Sequence, residues 1–155
     1  MTANISLGVA IFSLIISIAT FFAASRSNRN ALGVSEENTY SKIQDAEDAR
    51  ADFAMEIALK AEAWKLANAG KTYQMIPAEE KMADHKIQRV LNAYDMACQR
   101  YIDKKLDRKR FRRTYGDRIQ KICDNADFQR IKNRTTHSYT ALNQVNDELN
   151  NPERN

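Results

Sequence analysis

The chain has 155 residues, 24 basic and 20 acidic side chains and a formal net charge of +4, which leaves room for one domain, or for an anchor plus one small domain. Its 4 Gly, 2 Pro and 2 Cys are too few for a turn-rich strand fold or a disulfide scaffold, so an all-α fold is expected, with Cys98 and Cys123 as free thiols in a reducing compartment. No Asp, Glu, Lys, Arg or His occurs before Arg26, and such a partition predicts two environments.

The first element is the run ISLGVAIFSLIISIATFFAA, Ile5 to Ala24. Twenty helical residues rise about 30 Å, the thickness of a bilayer's hydrocarbon core. Its only polar side chains are Ser and Thr, which bond back to helix carbonyls at little cost in lipid. The run is too long, and lacks the leading Lys or Arg, for an ordinary secretory signal. A small-x-small pattern at Ala23 and Ser25 keeps processing before Arg26 as the alternative. The expected reading is a retained anchor over residues 1–25. Arg26, Arg29 and Lys42 follow it, so the positive-inside rule places the remainder in the cytoplasm and the amino terminus outside the inner membrane. The N-x-[ST] triplets at Asn4 and Asn133 are then chance matches. Ser6, Ala10, Ser13, Ser17, Thr20 and Ala24 recur every three or four residues, a small-residue stripe that predicts self-association or docking on a partner span.

Residues 26–34 are polar and read as a juxtamembrane linker, with Arg26 and Arg29 placed for phosphate headgroups. Ser35 is expected to cap a helix over about 36–69, with Glu36 and Glu37 in its first turn and Gly70 past its end. Tyr40, Ile43, Ala46, Phe53, Ile57, Ala61 and Trp64 fall at helical spacing. Met55, Met75, Met82 and Met96 are expected to fill gaps in the core, and Trp64 to pack in it.

Pro77 predicts a second helix running to about Lys104, with apolar positions recurring at Met82, Ile87, Val90, Leu91, Tyr94, Cys98, Tyr101 and Ile102. Asp107 is expected to cap a third, with Phe111, Tyr115, Ile119 and Ile122 on one face. A break at Asp124 and Asn125, a short helix over about 126–133 and a last helix bearing Tyr139, Leu142, Val145 and Leu149 complete the chain. Residues 35–150 thus read as one small antiparallel helical bundle, and 151–155 as a frayed tail.

Charge is segregated. Residues 98–134 hold 13 basic and 5 acidic side chains, whereas 35–97 hold 8 and 12. Lys109, Arg110, Arg113 and Lys121 are expected to point away from the apolar face of the third helix. Three readings compete for them: anionic lipid, nucleic acid, or the acidic first half of the chain. The last is the ordinary one, because acidic residues are interspersed and no nucleic-acid fold signature is present.

Little points to catalysis. His85 and His137 have no metal-ligand spacing, and neither a phosphate-binding Gly loop nor a nucleophile elbow occurs. No metal or cofactor is called for. Arg130 and His137, six residues apart, resemble the R-x(4–6)-H motif of the HEPN ribonucleases. That resemblance implies that Arg130 stabilises a pentacovalent phosphate and that His137 is the acid or base. Ile131 stands where that family usually has a polar residue.

The stretch from Leu91 to Ile119 carries Asn92, Tyr94, Asp95, Met96 and Ala97, then Tyr115, Gly116 and Asp117. With the amino-terminal apolar run, it resembles a group of uncharacterised bacterial and phage proteins with one amino-terminal span and a small helical domain. The resemblance implies the architecture and no activity. The function expected is a single-pass, membrane-anchored interaction or scaffold protein without catalysis, partnered by the bilayer and by a second copy or another membrane protein. The alternatives are a membrane-tethered ribonuclease and a basic-helix contact with lipid or nucleic acid.

Overall fold

The computed structural model of the chain describes residues 2–68, 70–134 and 138–150; the side chains of 2–15, 19 and 28–30 lie outside the description. It is built of α1 (Thr2–Ala67), α2 (Pro77–Ile102), α3 (Arg108–Asp124), α4 (Ala126–Arg134) and α5 (Thr140–Asn150). No strand occurs among the described residues.

The boundaries of α2 to α5 have local causes. Pro77 opens α2, and the Glu79 carboxylate accepts from the Ile76 N–H at 3.2 Å, a bond that Ile76 cannot return. The Asp107 side chain accepts from Arg110 N at 2.9 Å and starts α3. Asn125 Oδ1 accepts from Asp127 N at 2.9 Å and starts α4. The α5 entrance is different. Tyr139 precedes it at φ +44° and has no side-chain cap to offer, and Asp95 of α2 instead accepts from Leu142 N at 2.9 Å. A residue 47 positions away thus fills the capping role.

α1 corrects one expectation. Residues 26–34 are not a linker but part of one unbroken helix, and Ser35 is not its cap. The Ser35 carbonyl lies inside the helix and accepts from Thr39 Oγ1 at 2.7 Å. Polar composition breaks a helix only where it brings Pro or competing turn chemistry. This stretch has no Pro and a single Gly, Gly33. Propagation from both flanks costs far less than nucleating afresh.

Cross-helix contacts fix the topology. Lys60 meets Glu79, Glu47 meets Tyr94 and Thr39 meets Arg100, so α1 and α2 run antiparallel. α3 packs back against α2 through Tyr101–Phe111 and Tyr94–Tyr115. It therefore runs alongside α1, touching it at Tyr40–Tyr115, where the rings lie 5.4 Å apart. α5 closes the bundle parallel to α2. The antiparallel bundle expected is thus antiparallel for α1 with α2, α2 with α3 and α3 with α5, while α1 and α3, and α2 and α5, run parallel. The core is made of Ile43 and Ala46 from α1, Leu91, Tyr94, Ala97 and Cys98 from α2, Phe111 and Ile119 from α3, Phe128 and Ile131 from α4, and Leu142 and Val145 from α5.

Two packing expectations fail. Trp64 is exposed and meets only the edge of the Tyr73 ring at 6.0 Å; Met55, Met75, Met82 and Met96 are exposed as well. Beyond Arg50, α1 has α2 as its main neighbour, so a helical stripe there buries one side and leaves the rest open. Cys98 and Cys123 are buried free thiols. Burial is the largest cause pushing each thiol up from its ordinary pKa.

Candidate functional site

Two regions present chemistry to the outside: a groove beside α1, and the end of the bundle from which α1 projects.

The groove lies between α1 on one side and α3 and α4 on the other. At its centre Tyr94, fully buried on α2, donates to Glu47 Oε1 at 2.6 Å, and Arg118 of α3 meets the other carboxylate oxygen at 3.1 Å. Burial, then the Glu47 carboxylate, pushes the Tyr94 hydroxyl far above the usual phenol range. Arg118 is held above the usual guanidinium value by Tyr94 and Glu47. Beside this network opens a cleft of about 430 Å³ floored by Val90, Ile122 and Phe128 and rimmed by Arg50, Arg118 and Lys121. Arg50 lies over the Phe128 ring, 5.1 Å from its centroid. The cleft is amphipathic and shallow, and it aligns no nucleophile with a base. Among the described residues no group of three or more His, Cys, Asp or Glu could hold a metal ion.

The second region is built from the start of the bundle-forming part of α1, the corner between α2 and α3, and the end of α5. Glu36 is buried, and its carboxylate accepts from the Asp107 N–H at 2.6 Å and meets Arg110 at 3.4 Å. Arg100 donates to Thr39 Oγ1 at 2.6 Å and to the Ser35 carbonyl at 3.3 Å. These bonds fasten the α2–α3 corner to α1 at residues 35–39. Arg108 meets Glu148 of α5 and lies over the Tyr101 ring at 4.6 Å. Sequence reasoning places Glu36 in a first helical turn and does not single out Thr39. Their spacing of seven and four residues before Ile43 continues the buried stripe and is the signal for an interior role.

The residues singled out by sequence scatter across these regions. Lys109, Arg110, Arg113 and Lys121 are exposed on α3. Arg110 bends back to Glu36 and over the Tyr40 ring at 5.7 Å, so part of the basic face pairs with the acidic first helix. Arg130 is engaged by Asp84 through two bonds, of 2.6 and 3.1 Å, and Arg134 adds a third at 3.3 Å. The Arg130 guanidinium is the largest cause holding the Asp84 carboxyl below the usual range. His137 lies outside the described residues. In the small-residue stripe, Ser17, Thr20 and Ala24 are exposed, and Thr20 Oγ1 donates to the Ile16 and Ser17 carbonyls; the side chains of Ser6, Ala10 and Ser13 lie outside the description. Among the described residues no helix is long and apolar enough to cross a membrane, and most of the Ile5–Ala24 run falls on side chains outside them.

No family model, curated protein or solved structure matches the chain.

Proposed function

We propose that this chain is a single-pass, membrane-anchored helical protein that acts by binding a partner rather than by catalysis, with its bundle on the cytoplasmic side of an inner membrane. The carrying observation is that Ile16, Ile18, Phe21 and Phe22 are all exposed on α1, Phe21 at 71% and Phe22 at 66%, in a helix that runs unbroken into the bundle. Large apolar side chains pointing to several sides of one helix need an apolar medium, and the bundle does not supply it. The charge-free sequence from Ile5 to Ala24 has the length for hydrocarbon, and the basic residues after it favour the cytoplasmic side. The small-residue stripe suits close approach of a second span, of this chain or another. Arg130 is engaged by Asp84, so a ribonuclease reading draws no support from the described residues.

Two measurements test the proposal. The full chain should stay in the membrane fraction through carbonate washing; release into the wash would end the anchor. Ser6, Ser13 and Ser17 changed singly to Cys should cross-link within the membrane. Absence of a dimer at all three positions would remove self-association and leave a different partner span.

A further inference from the structure

The α2–α3 corner lies at the end of the bundle from which α1 runs toward its apolar stretch. The corner from Arg100 to Arg113 carries eight basic and two acidic residues. Through Glu36–Asp107, Glu36–Arg110 and Arg100–Thr39 it is fastened to α1 at the point where the helix leaves the bundle toward its apolar stretch. At the opposite end, where Arg130 and Arg134 of α4 meet Asp84, residues 52–86 and 121–134 together hold nine basic and eight acidic side chains.

Resting on the anchor reading above, we propose that this corner is a docking collar for the anionic headgroups of the leaflet through which α1 passes. The spacing fits. From Ala24 to Glu36 the continuous helix rises about 18 Å, and the headgroup layer takes up roughly 5–7 Å of that. The remaining gap is about 11–13 Å, about one and a half Debye lengths at physiological salt, and long basic side chains shorten it. Because residues 26–34 are helical, the collar is held at this height rather than left on a loose tether.

The charges available match the role. Arg108 pairs with Glu148, Arg110 with Glu36 and Lys105 with Asp103. Lys104, Lys109 and Arg113 are exposed and have no acidic partner among the described residues. The acids at this end are Asp103, Asp107, Glu36, Glu37, Asp147 and Glu148. Three of them are engaged by those pairs, and Asp107 caps α3. Nucleic acid is the weaker occupant, because single strands need aromatic faces for stacking. Tyr101, Phe111 and Tyr115 are all buried, and Arg108 covers the Tyr101 ring.

The test is lysine footprinting of the full chain reconstituted into vesicles, using a membrane-impermeant acylating reagent and mass spectrometry. A surface potential of about −30 mV raises local proton activity about threefold. Lys104 and Lys109 should therefore react up to about threefold more slowly in phosphatidylglycerol-containing vesicles than in phosphatidylcholine ones. Lys65 and Lys71, at the far end, should react alike in both. High salt should abolish the difference. Equal rates in both lipids, from a chain that still resists carbonate, would overturn the collar and leave the anchor standing. Release by carbonate would overturn both. Reversal of the protection by added single-stranded RNA at physiological salt would overturn the collar in favour of a nucleic-acid surface.

Discussion

Tyr94 joins core packing to charge more closely than any other residue. Its ring is fully buried against Tyr115, and its hydroxyl donates to Glu47. Burial and that carboxylate raise its pKa above the ordinary phenol value of about 10. In the pH range between those two values the folded chain keeps a proton that the unfolded chain has lost. The stability from this shift is therefore fully present below about pH 10 and falls as pH rises beyond it, by about 1.4 kcal/mol per pH unit for one group. Tyr40, Tyr101 and Tyr115 shift in the same direction, mainly through burial. Tyr94→Phe should cost about 1–2 kcal/mol at pH 8, because a hydrogen bond to a charged acceptor is lost. It should also flatten the alkaline fall, and urea unfolding at pH 8 and near pH 10.8 would show both; an unchanged alkaline slope would mean that Tyr94 does not carry it. Gly116 argues the other way. In sequence it looked like part of an aromatic-Gly-Asp step. In the structure it is an interior helical residue, and a Cβ there would meet only Leu149 Cδ1 at 3.9 Å, an ordinary contact. Gly116→Ala should raise stability by about 0.5–1 kcal/mol through helix propensity. A drop in melting temperature would show that the glycine has a use beyond space.

Among the elements, α1 and the α2–α3 corner are held together by few but strong bonds. The Glu36 carboxylate serves a backbone N–H that would otherwise be left at the corner, and it draws in Arg110. Glu36→Ala removes both contacts and leaves the Asp107 N–H short of a partner, which should cost about 1–3 kcal/mol. The lesion should be local first. Limited proteolysis between Asp103 and Arg108 should speed up at temperatures where the rest of the bundle is intact, and unchanged cleavage would count against the fastening. The same region shows why some elements could be read in advance and others could not. Pro77, Asp107 and Asn125 mark helix starts through local chemistry, and the starts fall where expected. The inward faces of α2 and α3 follow from periodicity because other helices cover that face of each. Trp64 and the four exposed methionines were misjudged because periodicity tells which residues share a face, not whether another helix covers it. The supposed linker was misjudged because polar side chains do not by themselves end a helix. Asp95 capping α5 could not be read at all, since the bond joins residues whose proximity only the fold creates. Of the candidate site, Lys109, Arg110 and Arg113 are legible as exposed basic residues, but their place beside the Glu36 turn of α1 is not, because that depends on the return of α3 alongside α1.

At the scale of the whole molecule, the apolar stretch and the core are separate uses of one helix. The described residues that are buried begin at Glu36 and end at Leu149. Ile16, Ile18, Phe21, Phe22, Leu32 and Val34, all before Glu36, are exposed. The ion pairs between α1 and α3 are partly exposed, Arg118–Glu47 at 55% and 36%, and such pairs contribute about 0–1 kcal/mol each. Cohesion therefore rests on Leu91, Tyr94, Phe111, Ile119, Leu142 and Val145, and among the described residues the buried core takes in none before Glu36. A chain lacking residues 1–30 should thus fold in water without detergent. It should melt in one cooperative transition that shifts only a few degrees between low and high salt, since screening touches the pairs and not the core. The full chain should instead require detergent or lipid to stay dispersed, because its exposed Ile and Phe side chains have no cover of their own. Circular dichroism melts and light scattering on the two chains separate the outcomes. A shortened chain that unfolds gradually would mean that the amino-terminal half of α1 stabilises the bundle, and a full chain that is monodisperse in plain buffer would remove the need for a bilayer.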